Sequence, residues 1–421
     1  MLVADTAAAP AWRAPTRVAF RFVFVYFGVY VLFSDMLGGL FPIPNGYLPA
    51  LGTVAPAMRG LVTWTAAHLF RVQSPLLISG SGSGDKTFDW VQTFCFLIVA
   101  LAATGVWSAF DRRTHYTRLH QWFRLVMRFA LGSTILTYGV LKVIPLQMSS
   151  PSLTRLLEPF GNFSPMGVLW ASIGASRAYE MSTGLAEVTG GVLLFIPGLT
   201  TLGALICFAD LTEVFVLNMT YDVPVKLFSF HLLMVALVLL APDASRLLRV
   251  LVSRPRATRA LVAAQLIFAA YLVGMNLHNA RRQWNQYGGG APRPALYGIW
   301  DVDEIAFNGE VRPPLLTDRA RWRRVVIQNL TMVSIQRMDD TYADYPSGTD
   351  VARRTILLRK MSDRSVIAGR LAFDRPAADR LLLDGEVEGS RVRAQLRLVD
   401  RNSFLLVNRG FHWIQERPFN R

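Results

Sequence analysis

Lys142 and Lys226 are two of only four lysines in an arginine-rich chain, the others being Lys86 and Lys360, and both abut long apolar segments. Lysine can give up its proton when desolvated, whereas arginine effectively cannot. Lysine kept at such positions therefore suits proton handling or hydrogen bonding at membrane depth. The alternative is compositional: lysine is rare throughout and these two carry no role. Further ionisable groups stand in the same apolar stretches, namely Glu187, Asp210, Glu213 and His231. Tyr138 lies one turn before Lys142, and Asn218, Tyr221 and Asp222 form a short turn that Pro224 closes.

A charge at mid-helix costs ~2.5–3.5 kcal/mol on insertion scales, so each of these groups asks for a partner. Two readings follow. In one, cations and carboxylates form buried salt bridges that fix helix register. In the other they line a polar pocket, where Lys142 or Lys226 and His231 donate hydrogen bonds to a ligand and Glu187 or Glu213 handles a proton. Asp210 and Glu213, three apart, share a helix face. Lys226 and His231, five apart, point different ways and would flank a ligand rather than chelate an ion. No two histidines share an apolar segment, so no metal site is expected. His115 and His120 fall in an arginine-rich loop, and His68, His278 and His412 stand alone. Of the histidines, only His231 is placed to ligate a haem.

The elements that must position these groups are membrane helices. Of 421 residues, 52% are hydrophobic and 17% charged, an uneven distribution that no single soluble domain requires. About seven segments approach the ~20 residues needed to cross ~30 Å of hydrocarbon; they are 18–40, 91–110, 124–146, 182–197, 199–219, 225–241 and 260–279. Arg13 and Arg17, then Arg112, Arg113, Arg118 and Arg124, then Arg246, Arg249, Arg254, Arg256 and Arg259, mark the cytoplasmic side. The N-terminus is then cytoplasmic and the C-terminal domain periplasmic or extracellular. The net charge of +15 is mostly this topological signal, since residues 297–421 carry a net of only +4. No basic stripe with interleaved aromatics suggests nucleic acid. Cys95 and Cys207 both fall in apolar segments, which argues against a disulfide framework or thiol exchange.

The expected layout is a cytoplasmic tail (1–17), a helical membrane domain (18–280), a Gly/Pro linker (281–296) and an exported β-domain (297–421). Within the helical part, 51–70 reads as an amphipathic interfacial helix, 80–85 as a flexible turn without the Gly-Lys-Ser/Thr ending of a phosphate loop, and 151–179 as a re-entrant or interfacial element. Asp89 is placed to cap the second span. Ser182, Ala186 and Gly190 form a small-residue stripe for close helix packing. Beyond the linker the period changes to two: Val392, Ala394, Leu396 and Leu398 alternate with Arg391, Arg393, Gln395 and Arg397. Asn308-Gly309, Asp384-Gly385 and Glu388-Gly389 read as hairpin turns. About eight short strands fit, enough for a small antiparallel barrel or sandwich, and Gly298-x-Trp300 resembles the opening of lipocalin-type barrels. The fold class is an all-α polytopic membrane bundle followed by a small all-β domain.

The segments SGSGDKTFDWVQ (81–92), YGVLKVIPLQ (138–147), FGNFSPMGVLW (160–170), STGLAEVTGGVLL (182–194) and LNMTYDVPVKLFSFHLL (217–233) together resemble the DoxX-like family of bacterial membrane proteins, over about residues 80–245. The resemblance implies a four-helix membrane core, a bacterial inner-membrane location, and an association with quinone-linked redox complexes and their subunits. It also implies that Lys142, Glu187 and Lys226 form a polar cluster facing a quinone. The added helices and β-domain lie outside that core. A more distant likeness is to vitamin K-dependent carboxylase-type membrane domains, which would make the chain an enzyme on a lipid-soluble substrate. The remaining alternative is a scaffold or transporter whose cluster is ionic glue.

Overall fold

A computed structural model of the protein describes residues 11–43, 46–47, 51, 55–148, 150–251, 258–286 and 290–421. The helices are α1 (Ala14–Phe33), α2 (Met36–Leu40), α3 (Pro56–His68), α4 (Thr87–Phe110), α5 (Thr117–Val143), α6 (Leu153–Leu156), α7 (Pro165–Gly174), α8 (Arg177–Phe195), α9 (Thr200–Thr220), α10 (Lys226–Leu240), α11 (Ala244–Leu251), α12 (Arg259–Gln286) and α13 (Leu405–Asn408). A two-stranded ribbon, β1 (Pro42–Ile43) with β2 (Gly46–Tyr47), follows α2.

Local chemistry sets several of the boundaries. Proline opens α1, α3 and α7, where its missing N–H is no loss. Ser164 caps α7 by accepting from the Gly167 amide at 3.0 Å, and Ser176 caps α8 through the Tyr179 amide. At the start of α4, Asp89 takes the Lys86 amide at 3.1 Å and the Lys86 ammonium at 2.7 Å, as its position suggested.

Among the described residues, six helical segments are long and apolar enough to cross a membrane: α1, α4, α5, α9, α10 continued through α11, and α12. On α4 only 22% of the span is buried, and Leu97, Ile98, Leu101 and Val106 face outward, the mark of a lipid-facing surface. The fourth expected span does form a helix, α8. Its Arg177, Glu180 and Glu187, with its Ser, Thr and Gly content, leave it less apolar than those six.

The chain divides into two compact units. Residues up to Ser253, together with Arg409–Arg421, form the helical unit, and Arg254–Asn408 form the other. This differs from the expected layout in two places. Arg409–Arg421 packs on the helices rather than with the β-domain, because polar groups on the helical unit fasten it. The helix α12, none of whose residues is buried, clusters with the second unit. Of the expected linker, 287–289 lies outside the described residues.

In the helical unit α5 and α8 approach most closely. A Cβ placed on Gly139 would sit 2.9 Å from the Gly184 carbonyl oxygen, and one on Gly184 would sit 2.7 Å from that of Gly139; Gly132 and Gly191 meet in the same way one to two turns on. Of the small-residue stripe, only Gly190 is used for packing: it rests on Cys207 of α9, whereas Ser182 and Ala186 are exposed. The core joins Phe20, Phe27 and Tyr30 of α1 to Phe96, Met127, Leu131, Leu211 and Leu239 from the surrounding helices.

The second unit is an eight-stranded antiparallel barrel of β3 (Gly298–Phe307), β5 (Trp322–Asn329), β6 (Met332–Arg337), β7 (Tyr342–Asp350), β8 (Thr355–Arg359), β9 (Ile367–Ala377), β10 (Arg380–Val387) and β11 (Ser390–Leu398), with β4 (Glu310–Val311) a short extension on β3. Pairing of β11 with β3, from Val392 opposite Phe307 to Leu398 opposite Trp300, closes the sheet and removes its edges. Val392, Ala394 and Leu396 point inward as the alternation required, beside the fully buried Trp300. Asn308-Gly309 and Glu388-Gly389 are tight turns with positive φ at both residues. Asp384-Gly385 is not a turn. It lies within β10, and Gly385 is needed there because a side chain would collide with the Arg370 carbonyl of β9.

Candidate functional site

The glycine contact between α5 and α8 brings the last turn of α5 onto the middle of α8, and it places Lys142 Nζ 2.6 Å from Glu187 Oε1. Both side chains are almost fully buried, at 7% and 3% exposure for the residues. The pair lines a cavity of about 210 Å³ bounded by α5, α7, α8, α9 and α10. Asp210 and Glu213 of α9 line the same cavity, as does Tyr138. The rest of the wall is chiefly apolar, with Met148, Met166, Trp170, Val214, Leu217 and Phe228.

Three oxygens on this wall are buried without a hydrogen-bond partner: Glu187 Oε2, Asp210 Oδ2 and Gln147 Oε1. Lys142 is held by Glu187, and Asn218 Nδ2 donates to Ser229 Oγ at 3.0 Å. Such unpartnered buried acceptors are uncommon in folded proteins.

The five residues singled out from the sequence are not brought to one place. Lys142, Glu187 and Glu213 share the cavity wall; Lys226 and His231 are absent from it. Lys226, 2% exposed at the start of α10, lies 3.3 Å from Asp222 and 3.6 Å from Asp85, with its ammonium 5.1 Å from the Phe411 ring centre. His231 is held between the Tyr26 hydroxyl at 2.7 Å and the Leu227 carbonyl at 2.6 Å and stacks on Tyr30 with ring centres 3.9 Å apart. Both ring nitrogens are satisfied inside the protein. Among the described residues no group of three or more His, Cys, Asp or Glu side chains is arranged to hold a metal ion.

Sequence reasoning missed the role of Asp85 and of Arg409–Arg421. The 80–85 stretch, expected to be a flexible turn, is fixed: Asp85 is fully buried and accepts from the Lys226 and Leu227 amides, both at 2.9 Å, capping α10 from a distance of 141 residues in sequence. Burial pushes the Asp85 carboxyl above its ordinary range, against the lowering pull of those two amides and of Lys226. Asp222, in the left-handed backbone region at φ 55°, holds Arg409 at 3.2 Å, His412 Nδ1 at 3.0 Å and Gln415 Nε2 at 2.8 Å. Gln415 also reaches Ser83 and Asp85 through its main chain, Trp90 donates to the Trp413 carbonyl, and the Arg421 main-chain oxygen accepts from the Ser164 amide at 2.6 Å. Pro418 consequently lies on the cavity wall. The only signal in the sequence was the density of Arg, His, Gln and Trp after residue 408, which periodicity does not interpret.

No family model matches the chain, and no solved structure matches it. A relative described as the uncharacterized protein YwoB of Bacillus subtilis (strain 168) is 27% identical over 142 residues, covering 32% of this chain and 82% of that protein. At that identity and coverage the similarity assigns neither a family nor an activity.

Proposed function

We propose that the chain is a DoxX-like protein of a bacterial inner membrane that holds a lipid-soluble ring of the quinone class in the α5–α7–α8–α9–α10 cavity. It serves as a ligand-binding, accessory component of a quinone-linked redox system, and electrons pass through partner subunits. The observation that carries the reading is the character of the cavity: aromatic and thioether walls for a flat apolar ring, with a few polar groups among them, the Lys142–Glu187 pair, Asp210 and Glu213. The resemblance over residues 80–245 points to the same ligand class.

Sidedness supports this arrangement. Arg124 binds the Leu239 carbonyl and Asp243 at the end of the helical unit where Arg112, Arg113 and Arg118 also stand, whereas Lys142 and the start of α10 lie at the other end. By the positive-inside rule the arginine end is cytoplasmic and the cavity faces the exported side. Segment Arg409–Arg421 packs at the cavity end, in keeping with an exported C-terminal part.

One observation favours a scaffold instead: the close glycine contact clamps Lys142 on Glu187, as a helix-bracing ion pair would be clamped. The two readings separate on purified protein in lipid nanodiscs. The ligand-binding reading expects a quinone in the organic extract and saturable quenching of tryptophan fluorescence, with Trp170 on the cavity wall, by a decyl-substituted quinone or quinol. It expects Asp210→Asn to change the affinity for quinone or quinol by about tenfold or more. Neither extractable quinone nor saturable quenching leaves only the scaffold.

A further inference from the structure

We infer that a second site, at the arginine end of the helical unit, holds the phosphate of an anionic phospholipid. It is separate from the cavity around Lys142: an open groove of about 380 Å³ walled by Gln121, Trp122, Arg124, Leu125 and Arg128 of α5 and by Thr200 at the start of α9.

Arg124 and Arg128, four apart, share a face of α5, so two guanidinium groups stand side by side. Arg128 spends Nε and Nη2 on a single acceptor, the Leu194 carbonyl near the end of α8, at 3.0 and 2.7 Å, and Arg124 Nη2 reaches the Leu239 carbonyl at 3.2 Å. Positive charge is left over. Asp243, which lies 3.5 Å from Arg124 and accepts from Thr201 Oγ1 at 2.9 Å, answers one arginine; Arg128 has no carboxylate partner among the described residues. Arg128 Nη1 and Arg124 Nε and Nη1 take no acceptor among the described residues, and none of the three is sealed from solvent. On the same wall α9 starts with no side chain capping its first amides, and its dipole adds partial positive charge there.

A phosphodiester supplies what is missing, a full negative charge on oxygens spaced for the guanidinium fork. The surroundings make the source a lipid. The helix α9 is long and apolar enough to span, so its start at Thr200 puts the groove at a membrane boundary, where headgroups lie. Trp122, Val126 and Phe129 of α5, with Leu199 and Leu202 at the start of α9, are between 39% and 62% exposed, an outward apolar surface for acyl chains with an indole at the interface. A soluble phosphate would leave that surface unused. The attraction of one arginine for an anionic headgroup corresponds to about a fivefold preference over a zwitterionic one.

The test counts lipids retained by the full-length protein in native mass spectrometry, from detergent titrated with phosphatidylglycerol or with phosphatidylcholine of the same chains. The expected result is a first phosphatidylglycerol bound at least fivefold tighter than phosphatidylcholine. Arg128→Gln removes the unanswered charge but keeps an amide donor, and Thr200→Glu sets a carboxylate on the wall at a position that suits the α9 N-terminus; each should bring the preference below about twofold. Arg118→Gln, which removes the same charge from an exposed position of α5 outside the groove, should retain it. Equal binding of the two lipids by the wild type, a preference that survives Thr200→Glu, or its equal loss in Arg118→Gln would overturn the inference. Displacement of phosphatidylglycerol by an equal concentration of glycerol 3-phosphate would overturn it too, by giving the groove to a soluble phosphate.

Discussion

Replacing Lys142 with methionine removes the ammonium 2.6 Å from Glu187 Oε1 and leaves the carboxylate, 3% exposed, with neither oxygen partnered. Methionine matches the aliphatic stem of lysine, so lost packing contributes little and the effect isolates the charge. Breaking a buried pair by deleting one partner costs about 3–5 kcal/mol, whereas replacing both with apolar groups of similar volume is often neutral. For a folding unit of this size, at roughly 2–4 °C per kcal/mol, Lys142→Met should lower the unfolding temperature by about 6–20 °C. The double variant Lys142→Met/Glu187→Leu should recover at least half of that loss. Unfolding would be followed in nanodiscs by tryptophan fluorescence or calorimetry at neutral pH. A single variant within 2 °C of the wild type, or a double variant no more stable than the single, would show that the 2.6 Å contact does not govern the energetics of the α5–α8 interface.

Three further outcomes are expected. Gly184→Ala puts a methyl 2.7 Å from the Gly139 carbonyl oxygen and the Val143 amide nitrogen, main-chain atoms that cannot swing aside, and should cost about 1–3 kcal/mol in the same unfolding assay. Asp222→Ala removes the acceptor shared by Lys226, Arg409, His412 and Gln415, so trypsin should cut after Arg409 at least tenfold faster than in the wild type, and equal rates would show that Asp222 does not hold the segment down. In the barrel, burial and the Glu388 carboxylate, which accepts from the Tyr345 hydroxyl at 3.0 Å, push the phenol up from 10.0 to about 12. The neutral form is favoured on folding, so its contribution is full below pH 10 and is lost between 10 and about 12; the 295 nm titration of wild type minus Tyr345→Phe should show that late midpoint, and a midpoint near 10 would contradict it.

Apolar run lengths in the sequence located the six long apolar helices and counted α8 as a seventh, and strict alternation over Arg391–Leu398 was enough for a barrel strand, because burial on one face or in lipid imposes a period on the residues themselves. Asp384-Gly385 shows where local pattern fails. The dipeptide reads as a turn, yet its glycine answers to a neighbouring strand that sequence cannot see. The polar residues divide in the same way. That Lys142, Glu187, Asp210, Glu213, Lys226 and His231 needed partners followed from the cost of ionisable groups in apolar segments; which partner each took did not. Helix rotation and the Gly139–Gly184 approach gave Lys142 to Glu187 and the cavity, Asp85 and Asp222 drew Lys226 away, and Tyr26 and Tyr30 enclosed His231. Composition and period thus determined which elements form and which side chains must be paired, since both are local properties of the chain. The pairing itself, with the cavity it leaves open and the segment fastened at Asp222, was decided chiefly by contacts between residues far apart in sequence, 45 positions for Lys142–Glu187 and 205 for Tyr26–His231, which only the packed helices bring together.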